Sequence, residues 1–373
     1  MQNYNLDNFE PAAKIVVIGV GGAGNNAVNR MIDEEIQNVD FYVANTDKQA
    51  LSTSKSSKRI ILGQDITGGL GAGGDPEIGR KAAEASADDI KEIVKGANMV
   101  FIAAGMGGGT GTGAAPVIAK IAKEANALVV AIVTRPFSFE GKRRFNNSID
   151  GLNNLKKEVD SIIVVSNDKL LVTCGNAPIS EAFNASDKVL AQSVKTVVNL
   201  ILLPSLINLD FADVKSTLEH SGVALIGFGL GTGPNRAKQA AEDAVNSPLL
   251  EASMKGAKRA IVAVTCGPEV SLFDAQNCVN YLTKAAGFAI DVKFGVTIND
   301  QLSDEILVSV IASDFDEDID FGAKTDSQTN QAPVQVQADP TPVIETEPAI
   351  EQHNDEEFAD DDILPNFLKN DDK

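Results

Sequence analysis

Apolar residues gather in short, β-branched runs at 14–18, 41–44, 99–104, 127–133 and 161–166, and spread to helical spacing between them, at about 25–36, 76–95, 114–125 and 144–158. Runs this short and this continuously apolar suit strands buried on both faces. Their alternation with amphipathic helices predicts an α/β fold built on a parallel sheet. The stretch from Ile179 to Leu202 holds no Gly or Pro and places Phe183, Val189, Leu190, Val194, Val197, Val198 and Ile201 at largely helical spacing. It predicts one helix about 35 Å long, a domain's width, ended by Pro204. Beyond it, 223–228, 259–265, 291–298 and 305–312 read as strands of a second, smaller α/β unit. The pattern thus divides into a flexible N-terminus (1–13), a first domain (14–178), a central helix (179–203), a second domain (204–314), a linker (315–356) and a distinct tip (357–373).

The junctions between strands and helices carry the chemistry. The first strand runs into Gly19-Val20-Gly21-Gly22-Ala23-Gly24, and the strand at 99–104 runs into Gly107-Gly108-Gly109-Thr110-Gly111-Thr112-Gly113, each followed by a helical stretch. Glycine permits the tight nest of N–H groups that wraps an anion, and the following helix presents partial positive charge. No lysine sits inside the second loop, which argues against an ordinary P-loop. A glycine turn made only for close packing is the alternative for either cluster. The first cluster also fits a dinucleotide site, with Asp47 where a ribose-binding acid is expected. That reading leaves unexplained the second loop and a third, Gly68-Gly69-Leu70-Gly71-Ala72-Gly73-Gly74-Asp75. Phosphate loops in such sheets gather at the carboxyl ends of the strands, so all three suit one nucleotide with a long phosphate tail.

After the long helix comes Asn208-Leu209-Asp210-Phe211-Ala212-Asp213-Val214, with two carboxylates and an amide in a short turn. One aspartate here caps a helix starting near Asp213, or the set orients a water or a cation. The long helix puts the turn at the far end of the domain from the glycine loops. If these groups act on nucleotide, they act on that of a neighbouring subunit.

Composition narrows the classes further. The chain has 373 residues, 43% of them hydrophobic, enough for a sizeable core in about two domains. Its net charge of −20 is uneven: residues 314–373 hold 18 acids and 3 bases, so the folded part is nearly neutral. Nothing resembles a basic stripe for nucleic acid, and the charge disfavours anionic lipid. The first ten residues lack a signal-peptide pattern and no apolar run approaches a membrane span, which predicts a cytoplasmic protein without direct membrane insertion. Cys174, Cys266 and Cys278 are widely spaced and read as buried reduced thiols, and with only His220 and His353 a histidine-based catalytic centre is not expected. Gly227-Phe228-Gly229-Leu230-Gly231-Thr232-Gly233 looks like a further phosphate loop but reads better as packing or a turn. Residues 316–355 are too acidic and polar to bury an apolar surface, and read as a disordered, self-repelling linker. The tip, Phe358 to Leu368, sets apolar residues in an acidic tail as in a short docking motif.

These residues together resemble the FtsZ family of tubulin-like cell-division GTPases. Gly107 to Gly113 matches its tubulin-type signature and Asn208 to Asp213 its Asn-x-Asp-Phe-Ala-Asp loop. Val43 to Asp47, Gly69 to Gly73, Arg135 to Gly141 and Asn167 to Leu170 match further loops in the same order, and the likeness covers about 14–314 and the extreme C-terminus. The resemblance implies a tubulin-like fold and a GTPase that assembles head to tail into a septal ring, with Asp210, Asp213 and Asn208 completing the next subunit's site. It places Gly22, Ala23, Gly24, Asn25, Asn26, Gly109, Thr110 and Gly111 on the nucleotide, and Ala72 and Gly73 beside the γ-phosphate. Glu140 and Arg144 fall at the ribose, although their spacing equally fits a surface ion pair. Phe183 would stack on guanine and Asp187 would pair with its N1–H and amino group. Mg2+ would be held mainly through the phosphates, not by a protein metal site. The tip resembles the peptide that binds the actin-like adaptor FtsA, making membrane attachment indirect. Departures from the pattern are Ala23 in place of glycine, Ser166 in place of proline, Lys188 after Asp187, and the stretch Val172 to Pro178.

Overall fold

The structure is a computed structural model that describes residues 13–174, 178–202, 205–286, 290–315 and 321. The first half runs β1 (Ile15–Val20), α1 (Gly21–Asp33), β2 (Val39–Asn45), α2 (Lys48–Ser52), β3 (Lys58–Ile61), α3 (Gln64–Thr67), α4 (Pro76–Ala85), α5 (Ala87–Val94), β4 (Met99–Gly105), α6 (Thr110–Glu124), β5 (Leu128–Arg135), α7 (Lys142–Glu158) and β6 (Ser161–Ser166). It continues α8 (Asn167–Cys174), α9 (Ile179–Leu202), α10 (Phe211–Leu218), β7 (Gly222–Gly231), α11 (Arg236–Val245), β8 (Ala257–Cys266), α12 (Leu272–Ala286), β9 (Asp291–Ile298) and β10 (Ile306–Phe315).

The strands form one sheet in the order β3-β2-β1-β4-β5-β6-β7-β10-β8-β9. From β3 to β6 every pairing is parallel. β7 joins the halves: Gly222–Ala224 run parallel to β6, and Leu225–Gly231 run antiparallel to β10. Neighbouring residues of the central strands face opposite ways, as a pleat requires. Val17, Phe101, Val130 and Ile132 pack with α1 and α9, whereas Ile18, Ile102, Val129 and Val133 pack with α4, α5, α6 and α7. Both faces being dry explains why these strands read as unbroken apolar runs.

α9 spans 24 residues, as its unbroken pattern predicts. Val189, Leu190, Val194, Val197 and Val198 are all buried in the core it shares with the sheet. Five such side chains contribute on the order of 10 kcal/mol before ordering entropy is counted. Pro204, expected to end this helix, lies outside the described residues.

Three expectations are corrected. The predicted helix over 76–95 is two helices, because Ser86 leaves helical geometry and its hydroxyl accepts the Gly63 amide at 2.9 Å. α1 and α6 start at Gly21 and Thr110, so the later glycines of both loops already belong to helices. Phe321, assigned by composition to the linker, is 3% exposed in the core cluster with Val159 and Val223. The rest of the linker from 316, the tip and residues 1–12 lie outside the described residues.

The glycine run at 227–233 is packing. Gly227, Gly229 and Gly231 share one face of β7, and a Cβ on them would lie 2.1, 2.0 and 2.0 Å from the carbonyl oxygens of Ala244, Ala240 and Arg236. Alternate glycines there let α11 lie directly on the strand.

Candidate active site

A cleft of about 350 Å³ opens where the loops after β1, β4, β5 and β6 converge. Its phosphate-sized end is lined by Gly21, Gly22, Ala23 and Asn26 from the head of α1, and by Gly105, Met106, Gly108, Gly109, Thr110 and Gly111 around the head of α6. Neither helix has a side-chain cap at its N-terminus or an acid in its first turn. Their first amides therefore stay free to donate to an anion, where the helix dipole favours one. The Thr110 and Thr46 hydroxyls meet at 2.7 Å, tying the loop after β4 to that after β2.

The opposite end is aromatic and acidic. Phe183, Ser186 and Asp187 project from the first turns of α9, facing Thr134, Pro136, Glu140, Arg144 and Asn167. The Phe183 ring is 41% exposed and is met edge-on by Phe137 at 5.1 Å, while Phe137 stacks on Phe139 at 5.0 Å. A flat apolar face is thus held open to the cleft by a buried neighbour. Burial pushes the Asp187 carboxyl up to about 7 against the opposing charge of Arg30. Glu140 accepts the Phe137 amide at 3.0 Å and also pairs with Arg144. The ion pair and the place at the cleft hold together.

Not every residue assigned to the nucleotide lines this cleft. Gly24 serves packing, since a Cβ there would lie 2.2 Å from the Ala103 carbonyl oxygen. Asn25 is 3% exposed, and in the amide orientation that satisfies both of its ends, the reverse of the one placed, its nitrogen donates to the Gly19 and Gly21 carbonyls at 3.0 and 2.9 Å. It shapes the turn from beneath. Ala72 is buried behind Gly109, and a Cβ on Gly109 would lie 2.8 Å from the Ala72 methyl carbon. Gly73 sits exposed in the same loop with φ 58°. The third glycine loop packs against the second through Ala72 and the Asp75 backbone. Asp47, the candidate ribose acid of a dinucleotide site, is engaged as the cap of α2, accepting the Gln49 and Ala50 amides at 2.8 and 3.2 Å.

Sequence reasoning did not single out Gly105, Met106, Thr134, Pro136, Asn167 or Ser186 as contacts. Their signal is positional: most of them immediately follow or end β4, β5 and β6. Among the described residues there is no cluster of three or more His, Cys, Asp or Glu able to hold a metal, and no helix long and apolar enough to cross a membrane.

At the other end of α9, Asp210 caps α10 by accepting the Asp213 amide at 2.8 Å, and Asp213 faces the Asp210 amide at 3.4 Å. The Asn208 side chain accepts the Ser205 amide at 2.6 Å. The chain is pinned to β9 by the pairing of Ile207 with Val296. Asp210 is exposed and Asp213 half-buried, with Lys293 3.8 Å from its carboxylate. The capping role and an outward-facing pair of carboxylates coexist. About 35 Å of helix separates this turn from the start of α9.

Residues 14–175 match the family model described as "Tubulin/FtsZ family, GTPase domain", and residues 222–316 match "FtsZ family, C-terminal domain". The fold superposes on an empty FtsZ dimer from M. jannaschii with a TM-score of 0.79 at 40% identity, covering 86% of this chain and 95% of that one. The chain belongs to the Tubulin/FtsZ family. A mutant form of FtsZ from M. jannaschii also matches, at TM-score 0.79 and 42% identity over 84% of this chain and 95% of that one. CetZ1 from Haloferax volcanii, a GDP-bound monomer, shares the fold at TM-score 0.71 and 22% identity, over 80% of this chain and 93% of that one. As a Tubulin/FtsZ member the protein is a GTPase, binding GTP and GDP and hydrolysing GTP.

Proposed function

We propose that the protein is a cytoskeletal GTPase that polymerises head to tail and forms the division ring on the cytoplasmic side of the membrane. The observation that carries this reading is the separation, along α9, of the nucleotide cleft from the Asn–Asp–Asp turn that the family signature marks. One copy holds GTP; the next supplies Asn208, Asp210 and Asp213. The FtsZ dimer among the solved structures supports the association of copies that this reading needs.

In this mechanism the free amides of Gly22, Ala23, Gly109, Thr110 and Gly111 hold the phosphates, with Asn26 beside them. Phe183 stacks on guanine, and ionised Asp187 accepts its N1–H and amino hydrogens, a pattern adenine's reversed edge does not offer. Glu140 and Arg144 border the ribose. Asp210 and Asp213 from the adjoining copy orient a water and take its proton as its oxygen bonds to the γ-phosphorus. The bond from that phosphorus to the β–γ bridging oxygen breaks, leaving GDP and phosphate. Mg2+ would be held mainly by the phosphates themselves and would offset their charge as the bond to the leaving oxygen breaks. The tip from Phe358 to Leu368 links the polymer to FtsA-like adaptors.

Light scattering run beside phosphate release, with GTP, ATP or NAD added in turn, tests this. Polymer that forms with GTP alone and decays as GTP is spent is the expected result. Turnover per subunit that does not rise with protein concentration would overturn the shared site.

A further inference from the structure

Arg135 ends β5 and Glu251 lies between α11 and β8, in the second half of the chain. They form an ion pair at 3.4 Å with side chains only 12% and 6% exposed. The arginine is otherwise tied to the first half: its guanidinium lies 5.3 Å from the Phe145 ring centre, on α7. Its chain neighbours Thr134 and Pro136 both line the nucleotide cleft, as does Arg144 next to Phe145. In the segment after β6, Asp168 adds to the rise that burial causes in the Glu251 carboxyl, and Lys169 opposes it. Two residues before Lys169, Asn167 lines the cleft too. In the same region, Asp168 accepts the Ser138 amide at 2.8 Å, so the segments after β5 and β6 are tied to each other on the first half's own side.

A buried carboxylate is costly to keep, and Glu251 keeps one oxygen, Oε1, buried with no hydrogen-bond partner. Its Oε2 has one long contact from Arg135. Packing alone would be served as well by an apolar residue. What the carboxylate adds is a charge reaching from the second half to the loops that close the nucleotide cleft.

We propose that Glu251 is a positioning residue of the nucleotide site: through Arg135 it holds the segment after β5, and with it the segment after β6 that Asp168 ties to Ser138, in register, so that guanine-nucleotide retention depends on the second half of the molecule. By linkage the dependence is mutual, and nucleotide binding stiffens the segment around Glu251. This rests on the cleft being the GTP site.

The test uses the full chain below its assembly concentration and a fluorescent GDP analogue. Wild-type binding of the analogue checks the site itself, so failure there is distinct from failure of the coupling. Glu251→Gln and Arg135→Met should each speed analogue release by at least about tenfold, and the double variant should release no faster than the quicker single one. Release from Glu251→Gln within twofold of wild type, or single effects that multiply in the double variant, would overturn the proposal. A merely structural pair would couple in melting temperature without coupling in release rate. Amide exchange of 247–254 in the unmodified protein needs no variant: it should slow on GDP binding, and an unchanged rate counts against the coupling.

Discussion

Asp210 and Asp213 cap one another: the first accepts the amide of the second at 2.8 Å, and the second faces the amide of the first at 3.4 Å. The reciprocal cap fixes both carboxylates at the head of α10 while leaving Asp210 exposed. Asp213→Ala removes one half of the cap and one candidate base. Stability should fall by about 1 kcal/mol, as for a lost cap, whereas GTPase turnover should fall by about 100-fold or more. GTP binding to the isolated subunit should stay unchanged, because the cleft lies at the other end of α9. Phosphate release, filter binding and thermal melts on one preparation separate the three effects. Wild-type turnover would remove Asp213 from the mechanism.

Gly109 sits at the head of α6 with ordinary helical backbone angles, so a side chain there is not strained in itself. Its added methyl would meet Ala72 at 2.8 Å and the Asp75 backbone at 3.0 and 3.1 Å. Gly109→Ala should push the third glycine loop away and shift the free amides of the phosphate loop. A displacement near 1 Å costs about 100-fold where positioning matters. Calorimetric titration with GTP is expected to show weakening of that order, with a melting temperature much less affected. Unchanged affinity would mean that the third loop does not buttress the second.

Gly229 gives the contrasting case. A Cβ would lie 2.0 Å from the Ala240 carbonyl oxygen, so Gly229→Ala forces α11 off β7. The expected loss is about 1–3 kcal/mol or more, as for overpacking, seen as a lower denaturation midpoint. GTP affinity at low temperature, where the variant is folded, should match the wild type. A selective loss of nucleotide would revive the phosphate reading of that run.

The contrast between these glycines shows what the sequence carried. Strand runs at 99–104 and 161–166 were legible because both faces of β4 and β6 are buried, and α9 was legible because its apolar stripe is unbroken. The glycine runs at 107–113 and 227–233 look alike in sequence, yet the first lies beyond the end of β4 and into the head of α6, whereas Gly227, Gly229 and Gly231 lie within β7 directly beneath α11. β3, with two exposed and only one fully buried residue among its four, offered no run to detect. Ser86 was missed as a helix break because its partner, the Gly63 amide, is distant in sequence. Arg135 and Glu251 were missed as a pair for the same reason: 116 positions separate them.

Asp187 makes the cleft sensitive to pH. Burial pushes its carboxyl up to about 7 in the free protein, above an unfolded value near 4. A raised carboxyl favours the protonated folded state, so its contribution is fully present below about pH 4 and is lost as pH rises through about 7. Asp187→Asn cannot ionise. Without nucleotide it should therefore be more stable than wild type at pH 8 and lose that advantage near pH 4, as thermal melts across that range will record. Under the proposed base recognition, binding runs the other way, since guanine's two donors would call for the ionised carboxylate. Wild-type GTP affinity should fall by up to about tenfold per unit below pH 7, with a proton released on binding. Asp187→Asn turns a donor toward guanine's donors and removes the charge, so GTP should weaken by about 100-fold, while xanthosine triphosphate, with an acceptor in place of the amino group, should gain. Calorimetry in two buffers of different ionisation enthalpy reads the proton, and competition between the two nucleotides reads the edge. A variant that still prefers GTP would remove Asp187 from base recognition.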